Sequence, residues 1–260
     1  MLGSIIGDIV GSRFEFNNLK GKKFELFTKA CSFTDDTICT VAVADAILKG
    51  IDYGGSIHAW CRRYPHPMGG YGVTFAQWVK SDNPQPYGSW GNGAAMRVAP
   101  VGFGFDNRQD VIREAMKSAM CSHNDPEGIL GAVAVAEAIY YLRYCNKERY
   151  MANIGLRVIL KRCYGNYEGA APGVFDETCR GTVPVALRIM LEAESFEDAI
   201  RRAMQYGGDS DTLGAIVGGM AEAFFGIPDD IKEKALGYLP EEMIEVINVF
   251  YAHFFSRNIC

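Results

Sequence analysis

Phe33-Thr34-Asp35-Asp36-Thr37 runs without a break into ICTVAVADAIL, Ile38 to Leu48, and Gly50 closes the stretch. A hydroxyl, two carboxylates and a second hydroxyl head an alanine-rich apolar segment. This predicts a buried helix over 35–49 whose first turn is crowded with hard oxygen donors. The pattern returns as Gly207-Gly208-Asp209-Ser210-Asp211-Thr212, ahead of the small-residue run Leu213 to Phe225 and Gly226. Each stretch sets an Asp-Thr pair at a helix head, and the remainder reads as a scaffold that brings the heads together. Further helices are predicted at 54–63, 71–80, 108–121, 126–145, 147–163, 178–193, 196–205, 212–225, 229–237 and 240–255, from apolar residues at helical spacing such as Ile129, Val133, Ala136 and Tyr140. Segment 2–11 is short and apolar, with Gly7 and Gly11 one turn apart, a spacing that lets another helix approach closely. Hardly any stretch alternates as a half-buried strand does. The expected fold is all-α, one domain over 1–260, with the glycine- and proline-rich loops on one face. Loop 12–33, carrying Arg13, Glu15, Asn17, Asn18 and a basic patch from Lys20 to Lys23, is long enough to suggest a functional loop or lid.

With 260 residues, 48% of them hydrophobic, the chain can bury one large core. A formal net charge of −5 and no Lys/Arg-rich stripe argue against nucleic acid as a partner. No apolar run is long enough to span a membrane. The 8 cysteines show no CxxC pairs, and several, such as Cys39, Cys145 and Cys163, fall within apolar helical patterns. They read as reduced core thiols of a cytoplasmic protein.

Thr34, Asp35, Asp36, Asp209, Asp211 and Thr212 offer only carboxylate and hydroxyl oxygens, which suit Mg²⁺, Mn²⁺ or Ca²⁺ rather than zinc. Four carboxylates in one pocket repel each other, and two divalent cations neutralise them better than one. Helix capping is the plainer reading, since Asp and Thr accept the orphan N–H groups of a first turn. Capping needs one oxygen per helix, however, and leaves surplus carboxylates whose burial without a partner is costly.

Thr34-Asp35-Asp36-Thr37 and Gly208-Asp209-Ser210-Asp211-Thr212 resemble the two metal-binding signatures of the ADP-ribosylglycohydrolase family, which includes the dinitrogenase reductase-activating hydrolases. The resemblance covers almost the whole chain. Gly7-Asp8 through Glu15 resembles the family's opening element, Gly91-Asn92-Gly93-Ala94-Ala95-Met96-Arg97 its glycine-rich central loop, and Ser122-His123-Asn124-Asp125-Pro126 its T-H-x-x-P element, with Ser122 in place of the usual Thr. It implies a compact orthogonal helical domain with two Mg²⁺ ions, for which Mn²⁺ can substitute, held by Thr34, Asp35, Asp36, Asp209, Asp211 and Thr212. It implies Gly91, Asn92, Gly93 and His123 along an ADP-ribose groove, with backbone N–H groups of the glycine-rich loop on the diphosphate. Asp35 or Glu15 would take the proton of the attacking water; the residues leave that choice open. The implied substrate is an ADP-ribosylated protein, with arginine favoured as the linked residue. Two alternatives are a free ADP-ribose derivative such as O-acetyl-ADP-ribose and a catalytically silent ADP-ribose-binding relative. Tyr71, Tyr87, Trp90 and Phe103 are the aromatic residues expected near the site.

Overall fold

The computed structural model describes residues 1–21 and 23–255; Lys22, within the basic patch, and Cys260 lie outside the described residues. The described chain is all-α, with no strand beyond one isolated antiparallel bridge between Gly91 and Thr178. The helices are α1 (Leu2–Gly11), α2 (Asp35–Lys49), α3 (Tyr53–Arg63), α4 (Val73–Lys80), α5 (Gly93–Met96), α6 (Ala99–Gly104) and α7 (Arg108–Met120). They continue as α8 (Pro126–Tyr144), α9 (Arg149–Tyr164), α10 (Cys179–Glu192), α11 (Phe196–Tyr206), α12 (Ser210–Phe225), α13 (Asp229–Leu236) and α14 (Glu241–Phe255). Helix α9 starts later than its pattern suggests because Asn146 and Lys147 take left-handed φ values of 52° and 58°. Helices α5 and α6, of 4 and 6 residues, escaped the sequence reading because they are too short to show a period.

Two helices organise the rest. Every residue of α1 is buried, as is α12 from Ser210 to Ala221. They cross with backbones in contact. A Cβ on Gly7 would stand 1.9 Å from the Gly214 carbonyl oxygen, and one on Gly3 2.3 Å from that of Gly218. A Cβ on Gly11 would stand 2.5 Å from the Cα of Asp211. No side chain fits between backbones at that separation, so the glycine stripe is what sets how near α1 lies to the head of α12. The first N–H groups of α1 have no cap from their own end. They are satisfied across the core, Gly3 N–H by Glu222 at 2.7 Å and Leu2 N–H by the Tyr251 hydroxyl at 2.8 Å. One hydrophobic core runs from Met1 to Phe250. Cys39, Cys61, Cys145 and Cys179 lie within it, whereas Cys121 and Cys163 are only partly buried, so the expectation of core thiols holds for some cysteines and not for these two.

Candidate functional site

At the head of α2, Thr34 is the N-cap, with extended φ −114° and ψ −166°, and its hydroxyl accepts the Asp36 N–H at 3.2 Å. That hydroxyl donates its proton to Asp8 of α1 at 2.7 Å. Asp8 also accepts the N–H of Thr34 at 3.0 Å, the N–H of Thr37 at 3.1 Å and the Thr37 hydroxyl. A carboxylate from one helix thus caps the start of another. In the sequence, only a lone charge in an otherwise apolar helix points to this role of Asp8. Asp36 is buried at 2% exposure. Its Oδ2 accepts the Thr212 hydroxyl at 3.2 Å, so the two helix heads touch, while its Oδ1 has no hydrogen-bond partner.

At the head of α12, Asp209 occupies the N-cap position but makes no cap hydrogen bond. Its carboxylate instead accepts the Asn92 amide at 2.7 Å, and the same amide nitrogen donates to Thr182 at 3.0 Å. Asp211, buried in the first turn, completes a set in which carboxylate oxygens of Asp8, Asp36 and Asp211 all lie within 4.8 Å of one another. Burial, followed by mutual repulsion, pushes the carboxyls of Asp35, Asp36 and Asp211 well above the usual range. Burial raises Asp209 as well, and raises Asp8 to about 6 against the pull of its threonine donors. Glu15 reaches the cluster from the loop after α1 and is raised to about 7 by burial and then by the charge of Asp209. Gly69 lies directly against its carboxyl; a Cβ there would stand 2.5 Å from Glu15 Oε2.

These partners separate the two readings of the heads. Thr34 and Asp8 do the capping of α2. Asp209 does none for α12, and a buried oxygen of Asp36 is left over. An orphaned buried carboxylate oxygen beside two further carboxylates is costly without a cation. The donor set is oxygen throughout, and it fits a hard divalent metal.

A cavity of about 400 Å³ opens above the cluster. Glu15, Asp35, Asp36, Asp209, Asp211 and Thr212 line one part of it, and Gly91, Asn92, Gly93 and His123 another. Every predicted site residue except Thr34 therefore borders one space, and Thr34 lies just beneath, at 1% exposure. Within the glycine-rich loop, Gly91 N–H donates to Ser89 and Asn92 N–H to the Glu177 carbonyl, so these two amides are already committed within the protein. Among the aromatic residues, Tyr87 and Trp90 line the cavity. Phe75 does too, and sequence reasoning missed it because the α4 pattern shows only an apolar face. Phe103 does not belong here: it is buried in α6 against Phe255, with ring centres 6.0 Å apart, beside a different cavity. The Tyr71 hydroxyl is spent on the Tyr64 carbonyl at 2.7 Å.

The sequence model of the ADP-ribosylglycohydrolase family matches residues 1–257. The chain is 23% identical over 322 residues to ADP-ribosylhydrolase ARH3 of Xenopus tropicalis, covering 93% of this chain and 91% of that one. It is 24% identical over 268 residues to the ADP-ribosyl-[dinitrogen reductase] glycohydrolase of Rhodospirillum rubrum, covering 88% and 85%. A solved ADP-ribosylglycohydrolase-related protein complex has the same fold, with a TM-score of 0.74 at 24% identity, over 96% of this chain and 94% of that one.

Proposed function

The chain belongs to the ADP-ribosylglycohydrolase family, and from that premise we propose that it hydrolyses the glycosidic bond at the anomeric carbon of ADP-ribose, releasing the group from a modified protein side chain. The observation that carries the reading is the unpartnered Asp36 Oδ1 among the carboxylates of Asp8 and Asp211, at the floor of a cavity of ligand size. Thr34, Asp35, Asp36, Asp209, Asp211 and Thr212 would hold two Mg²⁺ ions, for which Mn²⁺ can substitute. When bound, such ions neutralise the carboxylates and polarise the ribose hydroxyls and a water. The chain's own residues supply the rest. Asp8 and Thr37 fix the head of α2, and Asn92 holds the Asp209 carboxylate in place. Glu15, raised to about 7, is poised to take or return a proton near neutral pH; Asp35, on the cavity wall, is the other candidate base. Thr34 Oγ1 gives its proton to Asp8 and accepts the Asp36 N–H, which leaves its second lone pair free. Gly91, Gly93 and His123 form the facing wall for the ADP-ribosyl group. No helix among the described residues is long and apolar enough to cross a membrane; a cytoplasmic location is part of the proposal and rests on the cysteine usage.

The test is release of ADP-ribose from an ADP-ribosyl-arginine protein, an ADP-ribosyl-serine peptide and O-acetyl-ADP-ribose, each with Mg²⁺ and with EDTA. Mg²⁺-dependent turnover of a protein-linked form, the arginine form first, is expected. Turnover of O-acetyl-ADP-ribose alone would replace the protein substrate with a small molecule, and no turnover of any would leave a binding protein.

A further inference from the structure

We propose that Arg97 and Ser122 act as a positioning pair that holds the His123 imidazole in one neutral form, its proton on Nε2, as a hydrogen-bond donor to an oxygen of the ADP-ribosyl group. The ligand half of this rests on the reading of the cavity given above; the positioning half rests on geometry alone. Arg97 is fully buried, and among the described residues it forms no ion pair. Its Nη2 donates to the Ser118 carbonyl and to the Ser122 hydroxyl oxygen, both at 2.9 Å. A guanidinium only donates and does not lose its proton, so the direction of that second bond is settled. Ser122 Oγ lies 2.8 Å from His123 Nδ1.

Two arrangements satisfy that distance. In one, the serine proton goes to Nδ1, and the histidine proton sits on Nε2. In the other, Nδ1–H donates to Oγ, and the serine proton is left to the Cys121 sulfur at 3.9 Å, a weak and distant acceptor. Burial makes the second arrangement the worse one, because Ser122 is wholly enclosed and an unmade hydrogen bond there is not recovered from water. Burial and the nearby Arg97 charge also disfavour the imidazolium.

The Nε2 edge points where a donor is useful. It faces the bare backbone of the glycine-rich loop: a Cβ on Gly93 would stand 2.8 Å from Nε2, and one on Gly91 3.5 Å. Two glycines thus leave the ring edge open toward the cavity that His123 lines, with Tyr87 and Phe75 flanking the ring at 5.9 and 6.4 Å.

The experiment is long-range ¹⁵N NMR of the full chain, which carries 4 histidines, with the His123 signals assigned by their loss in His123→Gln. At neutral pH the wild-type chain should show His123 neutral with the Nε2–H pattern. Ser122→Thr, which keeps the hydroxyl, should retain that pattern and the affinity for ADP-ribose. Ser122→Ala should lose the single tautomer and bind ADP-ribose about tenfold more weakly, the effect of one misdirected hydrogen bond. A wild-type His123 that is imidazolium or carries its proton on Nδ1 overturns the positioning pair, whether or not the alanine variant folds; so does an unchanged pattern in Ser122→Ala. Failure of the wild-type chain to bind ADP-ribose, with the Nε2–H pattern present, overturns the ligand half together with the functional reading beneath it.

Discussion

At the scale of single residues, Asp8 and Asp209 exchange the roles their positions suggest. Asp209 stands at an N-cap and caps nothing; its carboxylate turns to Asn92 and the cavity. Asp209→Asn should therefore leave the metal-free melting temperature unchanged, or raise it by removing repulsion, while Mg²⁺-dependent hydrolysis falls at least as far as the 10–100-fold typical of outer-sphere changes, that is by about 100-fold or more. Parallel loss of metal-free stability and activity would return Asp209 to a capping role. Asp8 stands mid-helix and does cap, taking four donors from Thr34 and Thr37. An amide accepts through one oxygen only, so Asp8→Asn should cost about 1–3 kcal/mol in chemical denaturation, with or without metal. Stability loss seen only with Mg²⁺ present would instead make Asp8 a ligand. On the proposed reading Glu15, whose carboxyl is raised to about 7 by burial and then by the charge of Asp209, moves the proton. Glu15→Gln should keep metal-induced stabilisation and ADP-ribose binding while turnover drops by about 10²–10⁴. Near-normal turnover by this variant would leave Asp35 as the base.

At the scale of elements, the α1–α12 crossing places the chemistry. Gly7 meets Gly214 with no room for a methyl group, and the obstacle is backbone, which cannot rotate away. Gly7→Ala should destabilise by about 3 kcal/mol, the upper part of the usual overpacking range. It should also reduce metal binding, because Asp8 lies on α1 and Asp211 on α12, and both move when the helices part. Gly50→Ala makes the contrast. Its φ of 63° is left-handed, but open space surrounds it. It should cost about 1 kcal/mol, with Mg²⁺ affinity unchanged. Equal Mg²⁺ affinity in Gly7→Ala and the wild type, measured by calorimetry, would show that the crossing holds the fold without shaping the site.

At the scale of the whole molecule, the acid cluster ties stability to pH and, on the proposed reading, to metal. Without metal, the folded-state pKa values of Asp8 and Glu15 rise from 3.8 to about 6 and from 4.5 to about 7. The fold then holds more protons than the unfolded chain between those values, so stability is greatest below the unfolded pKa and is lost as pH climbs through the folded one. The melting temperature in EDTA should fall as pH climbs from about 4 through about 7, and the raised carboxyls of Asp35, Asp36 and Asp211 act in the same direction. With Mg²⁺ the trend should flatten or reverse, because the ligands bind metal in their ionised form. Metal at about 100 times its Kd should add about 2.7 kcal/mol near neutral pH. Melts that coincide with and without metal at every pH would remove the metal centre.

The sequence by itself determined the helical class and the chemistry of the two heads. A helix period and a run of oxygen donors are local properties, so Asp35, Asp36, Asp209, Asp211 and Thr212 could be singled out before any contact was known. The spacing of Gly7 and Gly11 also announced a close helix neighbour, though not which one. Only the tertiary structure decided that α12 is the partner, that Asp8 caps a helix other than its own, and that Asn92 serves Asp209. It also moved Phe103 away from the site and placed Arg97 behind His123 through Ser122. Those assignments depend on which groups meet, as packed surfaces or as hydrogen-bond donor and acceptor, between segments far apart in the chain. Such pairings follow from packing distance, and no local pattern of residue types encodes that distance.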